Sequence, residues 1–231
     1  MVTLTIRDVL YATPRARIVR LNLDGQRFDY EAGQAVVVGT SEADRRRPYS
    51  IASAPEDADR DGYLELLVGV DADGRAGDHL PLEAGTAIEV EGPVGTFTFP
   101  ANPVEQQFVF VAGGTGIAPL RAMIRHALAS PSAHRVGLLY SARTPDDFAY
   151  EQELRMLATN GTIELCQTVT RAAETDWAGN RGRIDRASLA TLVHDDRPLC
   201  FVCGPAAMVD EIPRMLVEMG VPRERIRIEE W

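Results

Sequence analysis

The chain has 231 residues, a net charge of −10, an apolar share of 45% and a charged share of 25%, the composition of an ordinary soluble globular protein of one or two domains. All 24 basic residues are arginine, which excludes a Walker-type phosphate loop and Schiff-base chemistry, both of which need lysine, and the surplus acid argues against a nucleic-acid partner. No apolar run nears the ~18–20 residues that span a membrane, and the N-terminus lacks a basic region followed by an apolar stretch; the expectation is a cytoplasmic monomer with no membrane partner.

Residues 1–99 read as short strands punctuated by turns. Asp24-Gly25 between Arg17–Leu23 and Gln26–Tyr30 reads as a hairpin. Val36–Val38, Tyr63–Val70 and Ala87–Val90 are further strands, set off by Gly33, Asp61-Gly62, Asp73-Gly74 and Gly92-Pro93. A short helix fits near Gly77–Leu82. Many short strands with such punctuation favour an antiparallel barrel or sandwich. Pro100-Ala101-Asn102-Pro103 then reads as a linker, with the domains divided at 1–99, 100–105 and 106–231.

Beyond it, strands and helices alternate. Strands are expected at Phe108–Ala112, Val136–Ser141, Ile163–Thr170, Leu199–Cys203 and Arg225–Glu229. The first helix carries Leu120, Met123, Ile124, Ala127 and Leu128 on one face. Others fall at Asp147–Ala158, Arg186–Val193 and Ala206–Gly220, with Pro213 placed to bend the last or shift its start. Such alternation means a doubly wound parallel sheet, here of five strands, with helices on both faces.

The chemistry gathers at the strand ends. After the first strand of this half comes Gly113-Gly114-Thr115-Gly116-Ile117-Ala118-Pro119. Glycines let backbone approach a phosphate, and helix N-termini attract anions; a plain tight turn fits the same residues. Cys203-Gly204-Pro205, with Met208 on the following helix, ends the fourth strand. These two turns flank the reversal of strand order, where ligands bind. Arg143, Thr170-Arg171 and Arg183 fall at the same sheet edge. Arginine suits bidentate phosphate recognition and hence the 2′-phosphate of NADP, although Asp146 and Asp147 keep NAD open, and each arginine read alone is equally a surface residue. Cys200 and Cys203 have C-x-x-C spacing but sit on a buried strand, which puts them on opposite faces and disfavours zinc or dithiol chemistry. Four cysteines are needed for an all-cysteine iron–sulfur cluster, and this chain has three. The four scattered histidines read as core or surface residues.

In the first half, Arg45-Arg46-Arg47-Pro48-Tyr49-Ser50 puts Arg47 and Tyr49 on one face of a strand and Ser50 on the other. An arginine, an aromatic and a hydroxyl suit a phosphate, a flat ring and a ring nitrogen. The loop Gly74-Arg75-Ala76-Gly77-Asp78-His79 can offer backbone N–H groups to a diphosphate. The last strand ends on Glu229-Glu230-Trp231, which sets an indole at the cofactor edge or seals the edge of a core.

Taken in order, these segments resemble the ferredoxin–NADP reductase family. Arg47-Pro48-Tyr49-Ser50 is similar to its R-x-Y-S flavin signature, and Gly92-Pro93-Val94-Gly95-Thr96-Phe97 to its G-P-x-G-x-F segment. Gly113–Leu120 and Val202–Pro205 are similar to its nicotinamide-side motifs. The resemblance implies a flavin-binding antiparallel barrel joined to a nicotinamide-binding α/β domain. It makes Arg47, Pro48, Tyr49, Ser50, Val68, Val70, Gly74, Ala76 and Gly77 the flavin contacts. Arg47 would then meet the flavin phosphate, Tyr49 and Trp231 would cover opposite ring faces, and Ser50 would lie near N5. Thr115, Gly116, Cys203, Gly204, Pro205 and Met208 would surround the nicotinamide, with Glu229 as the active-site carboxylate. Arg143, Thr170, Arg171 and Arg183 would surround the 2′-phosphate. The catalytic set is Ser50, Cys203, Glu229 and Trp231. One departure matters: the family's G-x-x-S loop has Gly77 where the hydroxyl belongs.

The implied cofactor is FAD, with FMN as the alternative, and the implied co-substrate NADPH, with NADH as the alternative; no metal is implied. The implied acceptor is a ferredoxin, a flavodoxin or another small electron-transfer protein, docking on a local basic patch of Arg45, Arg46, Arg121 and Arg125. The rival readings are an NADH-dependent reductase of an oxygenase system and a non-catalytic flavin-binding regulatory module.

Overall fold

The computed structural model describes residues 1–43, 45–130, 134–171, 176–194 and 197–230. The chain divides into two compact units, residues 1–100 with 121–130, and the remainder.

The first unit is built on six antiparallel strands: β1 (Val2–Thr13), β2 (Ala16–Asn22), β3 (Ala35–Gly39), β4 (Arg47–Ser50), β5 (Tyr63–Gly69) and β6 (Ala87–Val94). Their order is β4-β3-β6-β1-β2-β5. Ile51 bridges to Leu66 of β5, and the Ala52 N–H donates to the Glu65 carbonyl at 2.7 Å. These contacts join the two edge strands, so the sheet closes into a barrel and leaves no open edge. Leu4, Ile6, Val19, Leu21, Val36, Val38, Leu64, Leu66, Val68, Ile88 and Val90 fill it, one side chain in two along each strand.

Four local features differ from the expectation. β1 was not expected, yet Leu4 and Ile6 alternate with exposed or half-exposed neighbours and supply the strand between β2 and β6. Gln26–Tyr30 is not a strand. The Asp24-Gly25 turn does form, with φ of 49° and 76°, but β2 is already paired on both sides by β1 and β5. Gly77–Leu82 is a turn rather than a helix, closed by the Leu80 N–H on the Gly77 carbonyl at 3.2 Å; Gly77 at φ 103° and Pro81 keep it from extending. An unexpected helix α1 (Pro55–Asp61) starts on proline, carries Glu56 and Asp57 in its first turn and stops at left-handed Gly62, all favourable end signals.

The second unit is a parallel sheet of β7 (Gln107–Gly113), β8 (Arg135–Ala142), β9 (Glu164–Val169), β10 (Asn180–Arg181), β11 (Leu199–Gly204) and β12 (Ile226–Glu230). Its order, β10-β9-β8-β7-β11-β12, reverses direction between β7 and β11. The sixth strand beyond the five expected is the two-residue β10. Helices α2 (Ile117–Ala129), α3 (Glu151–Thr159), α4 (Arg186–Ala190) and α5 (Ala206–Glu218) connect the strands. α3 is shorter than expected because Tyr150, at φ 60°, separates it from a 3-10 turn at Pro145–Asp147. α4 starts on Asp185, whose carboxylate accepts from the Ser188 N–H at 2.8 Å. Pro213 is buried inside α5. β7 and β11 are buried along their whole length, as central strands of a doubly wound sheet must be.

Residues 121–130 of α2 carry the polar contacts of the first unit. Glu65, 3% exposed, receives Arg20 at 2.9 Å and Arg121 at 3.0 Å. Asp57 receives Arg60 at 2.9 Å and the fork of Arg125.

Candidate functional site

The β3–β4 ladder sets Arg47 opposite Val38 and Tyr49 opposite Val36. Arg47 and Pro48 are exposed, Tyr49 is half-buried and packs on the barrel core, and Ser50 is 3% exposed. The buried Ser50 Oγ has no hydrogen-bond partner among the described residues. A buried hydroxyl is normally satisfied, so this one marks a place for a ligand atom.

After β5 the loop turns at Gly74, φ 77°. The Asp71 carboxylate accepts from the N–H groups of Asp73 and Arg75, each at 2.9 Å. No described residue accepts from the backbone N–H of Ala76, Gly77, Asp78 or His79. Successive free amides form an anion-binding concavity. The orphan hydroxyl and the free amides therefore fit a flavin nucleotide, one toward the ring and the others toward phosphate. Val68 is wholly buried in the barrel core, and the Val70 N–H is taken by the Arg15 carbonyl at 2.8 Å.

In the second unit, β7 passes through the 3-10 turn Gly114–Gly116 into α2. A Cβ on Gly116 would lie 2.4 Å from the Cys203 carbonyl oxygen, and Cβ atoms on Gly113 and Gly204 would strike the Met208 sulfur at 2.9 and 2.7 Å. These glycines are thus required first for packing the β7 and β11 turns together, a reason different from the expected approach to phosphate. Gly114, at φ 56° with open space beyond it, and the exposed Thr115 remain free to meet a ligand. Pro205 precedes α5 at its N-cap position.

The ladder puts Ala112, Cys203 and Glu229 side by side across β7, β11 and β12. Cys203 is fully buried and Glu229 half-buried. Cys200 packs in the opposite core layer with Val109, Leu139 and Val202, and burial pushes its thiol up to about 12. No group of residues that could hold a metal occurs among the described residues. Trp231 lies outside the described residues.

At the ends of β8 and β9 the Arg171 N–H donates to the Arg143 carbonyl at 2.8 Å, which makes these two exposed arginines neighbours. The Thr170 hydroxyl donates to the Ala142 carbonyl at 3.3 Å. Asp147 accepts from the Thr144 N–H and hydroxyl at 3.2 and 2.9 Å, so its carboxylate is engaged in capping. Arg183 lies 3.5 Å from Glu211 of α5.

The expected basic patch does not survive as free charge. Arg46 pairs with Glu89, Arg121 with Glu65 and Arg125 with Asp57; among the four, Arg45 alone has no carboxylate partner among the described residues.

Two residues were missed. His79 binds the Tyr49 hydroxyl at 2.7 Å; its place in the Gly74–Leu80 loop was the available signal. Tyr140, fully buried, donates to the Gly114 carbonyl at 3.1 Å and accepts from the Ala149 N–H at 3.2 Å, which fixes the glycine turn; no sequence signal marked it.

A closed antiparallel barrel with an orphan buried hydroxyl and unaccepted loop amides, followed by a doubly wound sheet with paired small-residue turns at its switch point, is the architecture of a flavin- and dinucleotide-dependent oxidoreductase. Residues 4–99 match the oxidoreductase FAD-binding domain family and residues 110–213 the oxidoreductase NAD-binding domain family. Ferredoxin–NADP reductase B of Sorangium cellulosum is 33% identical over 219 residues, covering 90% of this chain and 88% of that protein. The reductase component of Rhodococcus jostii propane 2-monooxygenase is 27% identical over 217 residues, covering 86% of this chain and 55% of that protein. The crystal structure of an Amycolatopsis cytochrome P450 reductase superposes with a TM-score of 0.83 at 29% identity, covering 99% of this chain and 68% of that one. The chain belongs to the ferredoxin–NADP reductase family of flavin oxidoreductases, with FAD as cofactor and NAD(P)H as co-substrate. No helix among the described residues is long and apolar enough to cross a membrane.

Proposed function

We propose that the protein carries electrons from NADPH through FAD to a ferredoxin, a flavodoxin or another small electron-transfer protein. In this reading residues 1–99 hold the flavin and 106–231 the nicotinamide nucleotide. The observation that carries the choice of NADPH is the Arg143–Arg171 pair, next to an Asp147 whose carboxylate is already engaged by Thr144. Two exposed arginines on adjoining strand ends favour a 2′-phosphate, and the Asp147 carboxylate is engaged by Thr144 rather than free for a ribose diol.

Bound FAD supplies hydride acceptance from the dihydronicotinamide and one-electron release to the acceptor. The chain supplies binding and orientation. Ser50 offers its hydroxyl toward the reactive edge of the ring, and Tyr49 offers a face for stacking. The Ala76–His79 amides and Arg47 neutralise phosphate charge. Gly114 and Thr115 border the nicotinamide turn, and the Glu229 carboxylate, beside Cys203 in the ladder, can hold a proton there.

The similarity to oxygenase reductase components keeps one second reading: an NADH-dependent reductase of an oxygenase system. A single experiment separates the readings. The protein is loaded with FAD and mixed anaerobically with NADPH or with NADH. Rapid loss of the flavin band with NADPH, and return of the band on adding oxidised ferredoxin, is the expected result. Faster bleaching by NADH favours the second reading. No bleaching by either nucleotide leaves a flavin-binding module without catalysis.

A further inference from the structure

The loop after β5 is rebuilt around His79. Gly77 stands at φ 103°, where side chains are rarely found, and a Cβ placed there would lie 3.3 Å from His79 Nδ1. The hydroxyl of a G-x-x-S loop is therefore absent, and an imidazole nitrogen occupies its neighbourhood. His79 is 5% exposed. Its Nε2 meets the Tyr49 hydroxyl at 2.7 Å. The two ring planes are 6° apart with centroids 5.9 Å apart. So short a hydroxyl–nitrogen contact between near-parallel rings sets phenol and imidazole side by side rather than face to face.

Burial, and then the charge of Arg47, lower the His79 pKa against the opposing pull of Asp78, while burial raises that of Tyr49. Both groups are neutral at pH 7. The phenol is the stronger acid and donates, so Nε2 accepts; a neutral imidazole accepting at Nε2 carries its proton on Nδ1. That N–H has no acceptor among the described residues, and it sits beside the free amides of Ala76–His79.

We propose that His79 Nδ1–H is the side-chain donor that the loop after β5 offers to the flavin phosphate, beside Arg47 of β4, taking over from the hydroxyl that position 77 lacks, while Nε2 holds Tyr49 in place under the flavin ring. The assignment rests on the flavin reading of Tyr49 and Ser50. A histidine that only filled space would not need its outer nitrogen turned toward an unpaired anion-binding turn.

The test compares FAD with riboflavin, which has the ring but no phosphate. Apoprotein is titrated with each, with flavin fluorescence reading the dissociation constants and thermal unfolding confirming that each variant is folded. His79→Phe keeps a flat ring beside Tyr49 and removes both nitrogens. The expected outcome is a loss of FAD affinity about tenfold or more greater than the loss of riboflavin affinity, which reads the Tyr49 contact alone; the excess is the scale of one hydrogen bond to a charged group. Phosphorus NMR of bound FAD should shift in the same variant, and His79→Gln, which retains a donor, should recover part of the affinity. Equal losses for FAD and riboflavin, or unchanged FAD affinity, would overturn the assignment. A measurement that needs no variant is the nitrogen NMR of His79 in the wild-type holoprotein, where a proton on Nε2 in place of Nδ1 would also overturn it. Wild-type apoprotein that binds neither compound would instead end the flavin reading itself.

Discussion

Ser50 buries a hydroxyl without a partner among the described residues, at a cost of about 1–3 kcal/mol for such a group, and the proposed role toward the flavin accounts for it. Ser50→Ala should therefore raise the melting temperature of the apoprotein while slowing flavin reduction by about 10²-fold, the scale of one preorganised hydrogen bond. Calorimetry and stopped-flow absorbance read the two effects, and a lowered apoprotein melting temperature would show that the hydroxyl is used within the protein. In the second unit, Arg171→Ala should weaken NADPH about 10- to 100-fold and NADH by less than about threefold, the range for a charge-assisted pair against a lost surface charge; equal losses would remove Arg171 from the 2′-phosphate. The places of Arg47, Tyr49 and Ser50 were legible in the sequence from the strand period, and those of Arg143 and Arg171 from their position just past two strand ends. His79 was not, because its meaning lies in a partner 30 residues away, and a lone histidine reads the same whether it packs or binds.

The elements of the second unit were legible because its central strands are short apolar runs and its helices carry an apolar face at regular spacing. Those of the first unit were legible only in part. α1 has no apolar period, only end signals, and the Gln26–Tyr30 run fails because the barrel offers it no free edge. Gly116 shows how elements make the site. Gly116→Ala would drive a methyl to 2.4 Å from the Cys203 carbonyl and force the β7 and β11 turns apart, at about 1–3 kcal/mol of stability and with loss of nucleotide affinity. Chemical denaturation and nucleotide titration would show both changes, and a variant with wild-type stability would mean that the turns relax freely. Asp57 makes an acid-dependent contact between α1 and α2. Burial pushes its carboxyl up, but Arg125 and then Arg60 outweigh this and hold it below its ordinary value of 3.8. Its folded pKa is thus depressed: the contribution is complete above the unfolded value and is lost as pH falls through the folded one. Arg125→Ala should move the acid-unfolding midpoint, followed by circular dichroism, to higher pH; an unmoved midpoint would mean that Arg60 suffices.

At the scale of the whole molecule the balance of charge decides how an acceptor arrives. Composition gave the net charge of −10, but it could not show which arginines remain available. Arg46, Arg121 and Arg125 are neutralised by carboxylates on other elements, and Arg47, Arg143 and Arg171 are claimed by the nucleotides in the proposed reading. An acidic acceptor therefore meets a field of its own sign, with Arg45 left from the expected patch. Long-range steering acts on the association rate and is screened over a Debye length of about 10 Å at 0.1 M salt. For an acidic ferredoxin, kcat/KM should consequently rise as ionic strength increases from low values, because repulsion is screened first, and fall only where specific docking contacts weaken. An unbroken decline from the lowest salt would reveal a basic docking surface beyond these residues. Arg45→Glu distinguishes the two cases: it should lower kcat/KM by less than about threefold at moderate salt, in keeping with a single exposed charge, and a larger loss would make Arg45 the centre of the docking site.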